Sequence, residues 1–591
     1  MSSTTLAKVL ARHGRTGYRI VLSPSASPCV RHSAEELKAT LQAISGAEFP
    51  LVFDDLPPIP TEIVVGSNRH TPFALPDGLG EEGFVIRTVG DTLVIAGGES
   101  RGTAYGVYTF LEKWLGCRWF TPDCTHIPRR EVLSIPAIDH REQPALEYRE
   151  PFYPGLTGGD WSLHNKVNGC YCKLEETHGG SVSYAQWLVH TFDRLVPPEE
   201  FFDSHPEYFS LVHTPEHPEG VRLKERSQLC LTNPQVLELV IQRARQTLRA
   251  NPQATILSVS QNDWGNPCSC PACAAVDREE GSRAGSLLRF VNQVAQALEE
   301  EFPQVAVDTL AYFYTRTAPK HTKPRRNVIV RLCSIECGFN HPLSQDRPEA
   351  YRFFPDSQDG YEKKSFVQDL TDWSKICDRL YVWDYVTNFS HYLLPFPNFQ
   401  VLGENIRFLA AHRVKGIFEE GNASHNSRTG ELNQLRQYLL AKLLWDPHYN
   451  LEQGIGEFLA GYYGMAAPAM RDYLRLVQEK APQDSRPMGI YHAPRDGFLP
   501  DGFVERAEDV FARAMAMAED EKVLRRVREA YLSVRYMKLA LTPPPEEPAA
   551  AARFTAQVDA FFADLEAAGI DQIREGQSLD KSRAAMLRGE L

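Results

Sequence analysis

Three short runs of this chain end on side chains able to break or hold a sugar bond. TILSVSQNDW (Thr255 to Trp264) closes on Asn262, Asp263 and Trp264, an amide, a carboxylate and an indole side by side. LYVWDYVTNF (Leu380 to Phe389) offers Trp383, Asp384, Tyr385 and Asn388 in the same manner, and VKGIFEEGN ends on Glu419 and Glu420. Hydrolysis of a glycosidic bond normally takes two flanking carboxyl groups, one protonated and one ionised. Where the sugar carries a 2-acetamido group, its own carbonyl can be the nucleophile, and the second carboxylate then orients that amide. Sugar hydroxyls bind amides and carboxylates, while the flatter apolar face of the ring stacks on indole or phenol.

Each candidate has a structural alternative. Asp263 is an acid/base or amide-polarising carboxylate, or else a turn or helix-cap Asp before the Gly-Asn-Pro loop. Asp384 is a second catalytic candidate, or an Asp that bonds a loop backbone. Glu419 and Glu420 are adjacent, so on a regular strand they point to opposite faces. Glu419, which shares a face with Ile417, is favoured for the cleft, and a one-residue bulge reverses the choice. The catalytic set is therefore Asp263, Glu419 and Asp384. Substrate contacts are expected from Asn262, Trp264, Trp383, Tyr385, Asn388, His190, Arg149 and Glu420. Arg149 reads equally as a buried partner of Glu147 or Glu150. His190 and His205 read more readily as structural histidines. Glu431 opens a long helix, where a carboxylate meets the helix dipole favourably. Trp161, Asn165 and Asn168 follow in a loop of sugar-binding composition, a weak signal.

Cys268, Cys270 and Cys273 form the run CSCPAC, and Cys-x2-Cys is half a zinc site. The fourth ligand would have to be Cys230, Cys333 or a histidine. With no second Cys-x2-Cys in the chain, reduced thiols or one local disulfide are preferred and no metal is assigned. Glycoside hydrolysis needs no cofactor, and none is expected.

Carboxylates and aromatics at strand ends need a fold that gathers those ends, and α/β barrels do so at their carboxyl face. The chain has 591 residues, beyond the ~250–300 at which single cores stop growing. Residues 1–140 read as an α+β accessory domain. GYRIVLSP, TEIVVGS, GFVIRTVG and DTLVIAGG are short β-branched runs, and SAEELKATLQAISG is a helix capped by Ser33 and stopped at Gly46. Residues 141–447 alternate strand and helix. The strand candidates are ALEYREPFY, Trp187–Phe192, EYFSLV, TILSVSQND, VAVDTLAYF, NVIVRLCSI, LYVWDYV and VKGIFEEG. Eight strands separated by helices match a (β/α)8 TIM-type barrel. Residues 448–591 read as a helical region, with PPPEEPAAAAR as an exposed linker.

The formal charge of −13 advertises no basic face and argues against nucleic acid as a partner. No apolar run approaches the ~18 residues that span a membrane. No secretory signal is visible, so the chain reads as cytoplasmic; an extracellular or periplasmic protein with its signal removed would look the same. Twelve cysteines in 591 residues lie far below disulfide-scaffold density. The oligomeric state is not legible.

The ordered series of motifs resembles glycoside hydrolase family 163, a former domain-of-unknown-function family. It runs through DGLGEEGFVIRTVGDTLVIAGGESRGTAYGVYTFLEKWLGCRWFTPD, HTFDRLVPPEEFFDSHPEYFSL, QLCLTNPQV, SVSQNDW…CSCPAC, RFVNQVAQ and LYVWDY. It continues through LPFPNFQVLGENIRF, KGIFEEG and GELNQLRQYLLAKLLWDP. The N-terminal segment resembles the accessory domain preceding the barrel in hexosaminidases and α-glucuronidases. The resemblance implies a retaining endo-β-N-acetylglucosaminidase acting on the chitobiose-type core of complex N-glycans, with an oligosaccharide or glycan as its partner. Two other readings stand beside it: an α-glucuronidase-like enzyme, which needs Arg149 or Arg331 to hold a uronate, and a catalytically silent carbohydrate-binding barrel.

Overall fold

The computed structural model describes residues 7–346, 364–422 and 427–591. At its centre lies one curled parallel sheet, a half-barrel covered by helices. Its order is Tyr148–Phe152, Gly416–Glu420, Leu380–Tyr385, Val328–Cys333, Ala306–Ala311 and Ile256–Ser258. These strands are buried on both faces along nearly their whole length. That explains their near-continuous apolar runs, as expected of parallel strands covered on both sides.

Two of the eight expected strands are not part of this sheet among the described residues. EYFSLV becomes a 3-10 turn at Pro206–Tyr208 followed by a two-residue strand, Leu211–Val212, paired antiparallel with Val221–Arg222. Pro206 fixes a bend where a continuous strand would need an extended backbone. The Trp187–Phe192 region forms no strand either. Only Tyr184, just ahead of it, makes a parallel bridge to Ile256.

The two faces of the sheet differ. Leu380, Val382 and Ile417 join the large core under the helices. Tyr148, Ile329, Tyr381 and Phe418 fill the concave side, with the Trp383 ring packed at a tilt 4.1 Å from that of Phe418. Gly416 is glycine for a steric reason: a Cβ there would lie 2.8 Å from both Tyr148 and Tyr381. Arg331 is fully buried in this interior and donates to Asp308 (3.4 Å) and to the Tyr184 hydroxyl.

The N-terminal segment forms a six-stranded mixed sheet, ordered Asp139–Glu142, Phe84–Val89, Thr92–Gly97, Glu62–Val65, Arg19–Leu22 and Leu51–Phe53. Helices Pro28–Ser45 and Gly102–Lys113 pack with it. The first helix starts five residues before Ser33. Ser27 caps it by accepting from the Val30 amide, and Pro28 supplies the preset φ of a first helical position. Ser33 lies inside the helix and donates to the Cys29 carbonyl. Gly46 ends it at φ 72°, as read from the sequence. Helices dominate from Leu451 onward. The expected 543–553 linker is loop only as far as Glu547, whose carboxylate caps helix Pro548–Ala567. No helix among the described residues is long and apolar enough to cross a membrane.

Arg149, expected at the cleft, instead joins the two sheets. It is fully buried, donates to the Leu146 and Lys166 carbonyls, and pairs with Glu82 at 2.8 Å. Its partner is neither Glu147 nor Glu150 but a residue 67 positions earlier. Asn168 and Arg101 bond the same Glu82 carboxylate. Burial raises the Glu82 pKa, but the Arg149 and Arg101 guanidiniums outweigh it and hold the carboxyl at about 2. Arg149→Met removes one of the two guanidiniums that compensate the buried Glu82 charge, leaving Arg101, and is expected to cost about 1–3 kcal/mol in denaturant unfolding. The stabilisation by Glu82 is complete above its ordinary carboxylate range and is lost as the pH falls toward about 2.

Candidate active site

A cavity of about 240 Å³ opens at the carboxyl ends of the parallel strands. Asp263 and Tyr312 follow two of those ends, and Cys333, Tyr385 and Glu420 are the last residues of three others. His190 and Trp383 complete the inner wall. Phe389, Ile490, Tyr491 and Glu575 close the other side, the last three from the C-terminal helical region.

Of the residues expected from the sequence, Asp263, Glu420, Trp383, Tyr385 and His190 come together here. Glu420 is the buried carboxyl of the group. It accepts a hydrogen bond from the Trp383 indole, Nε1 to Oε2 at 2.7 Å. Burial, with the Glu575 and Asp263 charges, pushes its pKa up to about 8 against the opposing indole bond. Glu420 is therefore a carboxylic acid at neutral pH. Asp263 is 61% exposed and receives the Tyr312 hydroxyl at 3.0 Å. Burial raises the Tyr312 pKa, and the neighbouring Asp263 adds to it. Burial, reinforced by Asp263, also raises that of Glu575. The cavity thus gathers three carboxyl groups of unlike environment, the arrangement that separates an acid from a carboxylate.

His190 sits in the left-handed region, φ 56°, an uncommon conformation for a non-glycine residue. Its backbone N–H donates to Ser260 Oγ at 2.9 Å. Its Nδ1 donates to the Gln261 carbonyl at 2.8 Å, because a carbonyl can only accept. That assignment leaves Nε2 turned to Asp263 Oδ1, 3.8 Å away.

Six expected site residues lie elsewhere. Glu419 and Asp384 occupy the helix-packed face, beside each other in register. The Ile417 face, on which Glu419 was favoured, is the outer one, and Gly416, Phe418 and Glu420 take the concave side. Burial lifts Asp384 to about 6 against the Ser334 hydroxyl bond, and burial plus Asp384 lifts Glu419 well above the carboxylate range. Glu419→Gln mimics the protonated form, so turnover is expected to stay within about threefold of the parent. The parent loses stability as pH rises above the normal carboxylate range, because its unfolded state releases protons that the folded state keeps. The thermal advantage of Glu419→Gln over the parent should accordingly grow from about pH 5 to pH 8, read by melting temperature.

Asn262 spends its side chain on the fold. It donates to Asp193 (2.7 Å) and the Ser227 carbonyl (2.9 Å) and accepts from the Asp193 amide (3.1 Å). Trp264 donates its indole N–H to that same Ser227 carbonyl and does not line the cavity. Asn388 is fully buried and donates to the His492 carbonyl at 2.8 Å, which anchors the segment carrying Tyr491. Arg149 lies between the sheets, as described. Among the other candidates, Glu431 is buried against Arg436 at 3.2 Å, and His205 stacks on Tyr208 away from the cavity. Trp161, Asn165 and Asn168 are buried and bond backbone or Glu82.

Tyr312, Tyr491 and Glu575 were not anticipated. Tyr312 had a usable signal, an aromatic directly after a strand, in LAYF. Glu575 had none. It reaches the cavity because its amide donates to the Phe389 carbonyl and Tyr392 donates to the Ile573 carbonyl, which stitch the C-terminal segment onto the 386–394 loop.

The fold is shared with a family GH115 4-O-methyl-α-glucuronidase described as specific for decorated arabinogalactans. The TM-score is 0.58 at 12% identity, over 95% of this chain and 78% of that one. A GH138 enzyme targeting pectin rhamnogalacturonan II aligns at TM-score 0.46 and 11% identity, over 96% of this chain and 78% of that one. No curated protein matches the chain. Residues 119–475, more than half of the chain, match the family described as a domain of unknown function, DUF4838, and the chain belongs to that family.

Proposed function

We propose that the chain is a retaining glycoside hydrolase acting on β-N-acetylglucosaminides, with Glu420 as general acid and Asp263 as the ionised carboxylate. One observation carries this reading: a buried carboxyl, bonded by the Trp383 indole, shares an aromatic-walled cavity with an exposed carboxylate. Trp383 occupies Glu420 Oε2, which leaves Oε1 to carry the proton toward the glycosidic oxygen. Asp263, steadied by Tyr312, polarises the N–H of the 2-acetamido group. The amide carbonyl then attacks the anomeric carbon as the leaving oxygen takes the Glu420 proton. Water opens the resulting oxazolinium ion, and Glu420, now ionised, removes its proton. The β configuration is restored.

The cavity suits a single sugar ring, being smaller than the ~300–1,000 Å³ usual for larger ligands. Tyr491 stands 40% exposed at its rim as a platform for the next unit. The reading treats the curled sheet as a (β/α)8-type barrel, with an accessory part to about residue 140 and a helical part from about residue 448. The resemblance to glycoside hydrolase family 163 supports an endo-acting enzyme on the chitobiose-type core of complex N-glycans.

A uronate substrate is disfavoured on a specific ground. Among the described residues the cavity wall carries three carboxyl groups and neither Lys nor Arg. Arg149 and Arg331, the candidates for holding a uronate, are both fully buried in internal ion pairs. Mass spectrometry of a desialylated biantennary glycoprotein after incubation tests the proposal. Release of a glycan ending in one N-acetylglucosamine, with its partner sugar left on the protein, supports it. Turnover of glucuronides alone reverses the substrate assignment, and binding without any turnover points to a silent carbohydrate-binding barrel.

A further inference from the structure

We propose that Cys230, Cys268, Cys270 and Cys273 bind one structural zinc ion that clamps the loop carrying Asp263. The fold brings Cys230 to the CSCPAC run across about forty residues of sequence, and no two of the four sulfurs lie more than 4.8 Å apart. Cys230 Sγ stands 3.7 Å from Cys270 Sγ and 3.9 Å from Cys273 Sγ. A tetrahedral zinc with Zn–S bonds of ~2.3 Å places its ligand sulfurs about 3.8 Å apart. A disulfide would need ~2.05 Å, and all four cysteines are free.

The surroundings suit thiolates rather than thiols packed as apolar groups. The Leu211 amide donates to Cys268 Sγ at 3.4 Å and the Cys273 amide to Cys270 Sγ at 3.5 Å. Arg222 Nη1 lies 3.8 Å from Cys268 Sγ and offsets part of the negative charge of a four-thiolate site. Cys270 caps helix Pro271–Glu280, whose N-terminal dipole favours an anionic sulfur. Hydrogen-bond donors to the ligand sulfurs are a regular part of metal–thiolate sites. All four cysteines are buried, and four protein ligands leave no open position for substrate or water, which marks a structural site rather than a catalytic one.

The clamp's place in the chain gives it a purpose. It joins the 227–232 segment to the start of helix Pro271–Glu280. Between its ligands Cys230 and Cys268 the chain passes through Asp263. Gln228, two residues before Cys230, accepts from the Asn262 amide and donates to the Asn262 and Trp264 carbonyls. The two residues flanking Asp263 are thereby held by a segment that zinc would lock. This role rests on the proposed function, whereas zinc binding does not.

The experiment is metal analysis of the full chain, produced in zinc-supplemented medium and purified without chelator. About one zinc per chain is expected, with the four thiols unreactive to a thiol probe until a mercurial releases the metal. Cys230→Ser is expected to bring zinc below about a tenth of an equivalent, whereas Cys377→Ser, outside the cluster, keeps it. Cobalt substitution supplies a readout on the parent protein itself, the strong absorption of a tetrahedral thiolate complex. A parent chain without zinc and unable to take up cobalt overturns the proposal, as does non-reducing mass analysis showing these cysteines paired as disulfides. None of these readouts involves a glycosidase assay, so a failed zinc site and a failed function are told apart.

Discussion

Glu420→Gln lowers kcat/KM on an unactivated oligosaccharide by about 10²–10⁴-fold, the usual contribution of a positioned general acid. The loss should shrink sharply on an aryl glycoside with a good leaving group, because such a group departs without a proton. A uniform loss on both substrates would falsify the acid role and leave Glu420 a structural carboxyl. The pH profile gives an independent check. Burial and the Glu575 and Asp263 charges hold Glu420 at about 8. Its acid form dominates below that pH, and kcat/KM of the parent falls as the pH rises through about 8. The variant has no such limb. Stability carries the same signature with its own sign. The folded pKa is raised above the unfolded one, so the folded state holds a proton that the unfolded chain releases. Parent stability declines as pH rises from the ordinary carboxylate range toward about 8. Glu420→Gln removes that slope, on the order of a few kcal/mol across the window.

Asp263→Asn is expected to cost about as much, ~10²–10⁴-fold, but without the dependence on the leaving group. A carboxylate that orients the acetamido group assists the nucleophile whichever group departs, so oligosaccharide and aryl glycoside should suffer alike. The substitution also removes a negative neighbour of Glu420. Ionised Glu420 becomes less unfavourable, its pKa falls, and the alkaline limb of kcat/KM moves to lower pH. Steady-state kinetics across pH with both substrate types measures all of this. An unmoved limb would mean that the two carboxyl groups do not sense each other, and the shared-site argument would collapse.

The GH115 likeness, at 12% identity, bears on architecture. The cavity's chemistry is the chain's own. Where a uronate-binding pocket needs a cation, this one sets Glu420, Asp263 and Glu575 among Trp383, Tyr385 and Tyr491. On the proposed reading such a wall favours a neutral sugar over a uronate, whose carboxylate it would repel.

The sequence by itself determined which strands end on chemistry. SVSQNDW, LYVWDYV and FEEG all finish at one end of the sheet, and Asp263, Trp383, Tyr385 and Glu420 line its cavity. These features are local: β-branched runs, their stops, and the residues placed at the stops. It also determined most of the N-terminal sheet, for the same reason. The choice between Glu419 and Glu420 belonged to the tertiary structure. Alternation puts neighbours on opposite faces, but a strand buried on both sides has no polar face to reveal which one is inward. Packing decided it, through Gly416 fitting between Tyr148 and Tyr381 and Phe418 against Trp383. The partner of Arg149, the reach of Glu575 into the cavity and the fourth cysteine beside CSCPAC were likewise decided in three dimensions. Each joins segments far apart in the chain, and a long-range contact leaves no periodicity, cap or turn from which a single sequence could announce it.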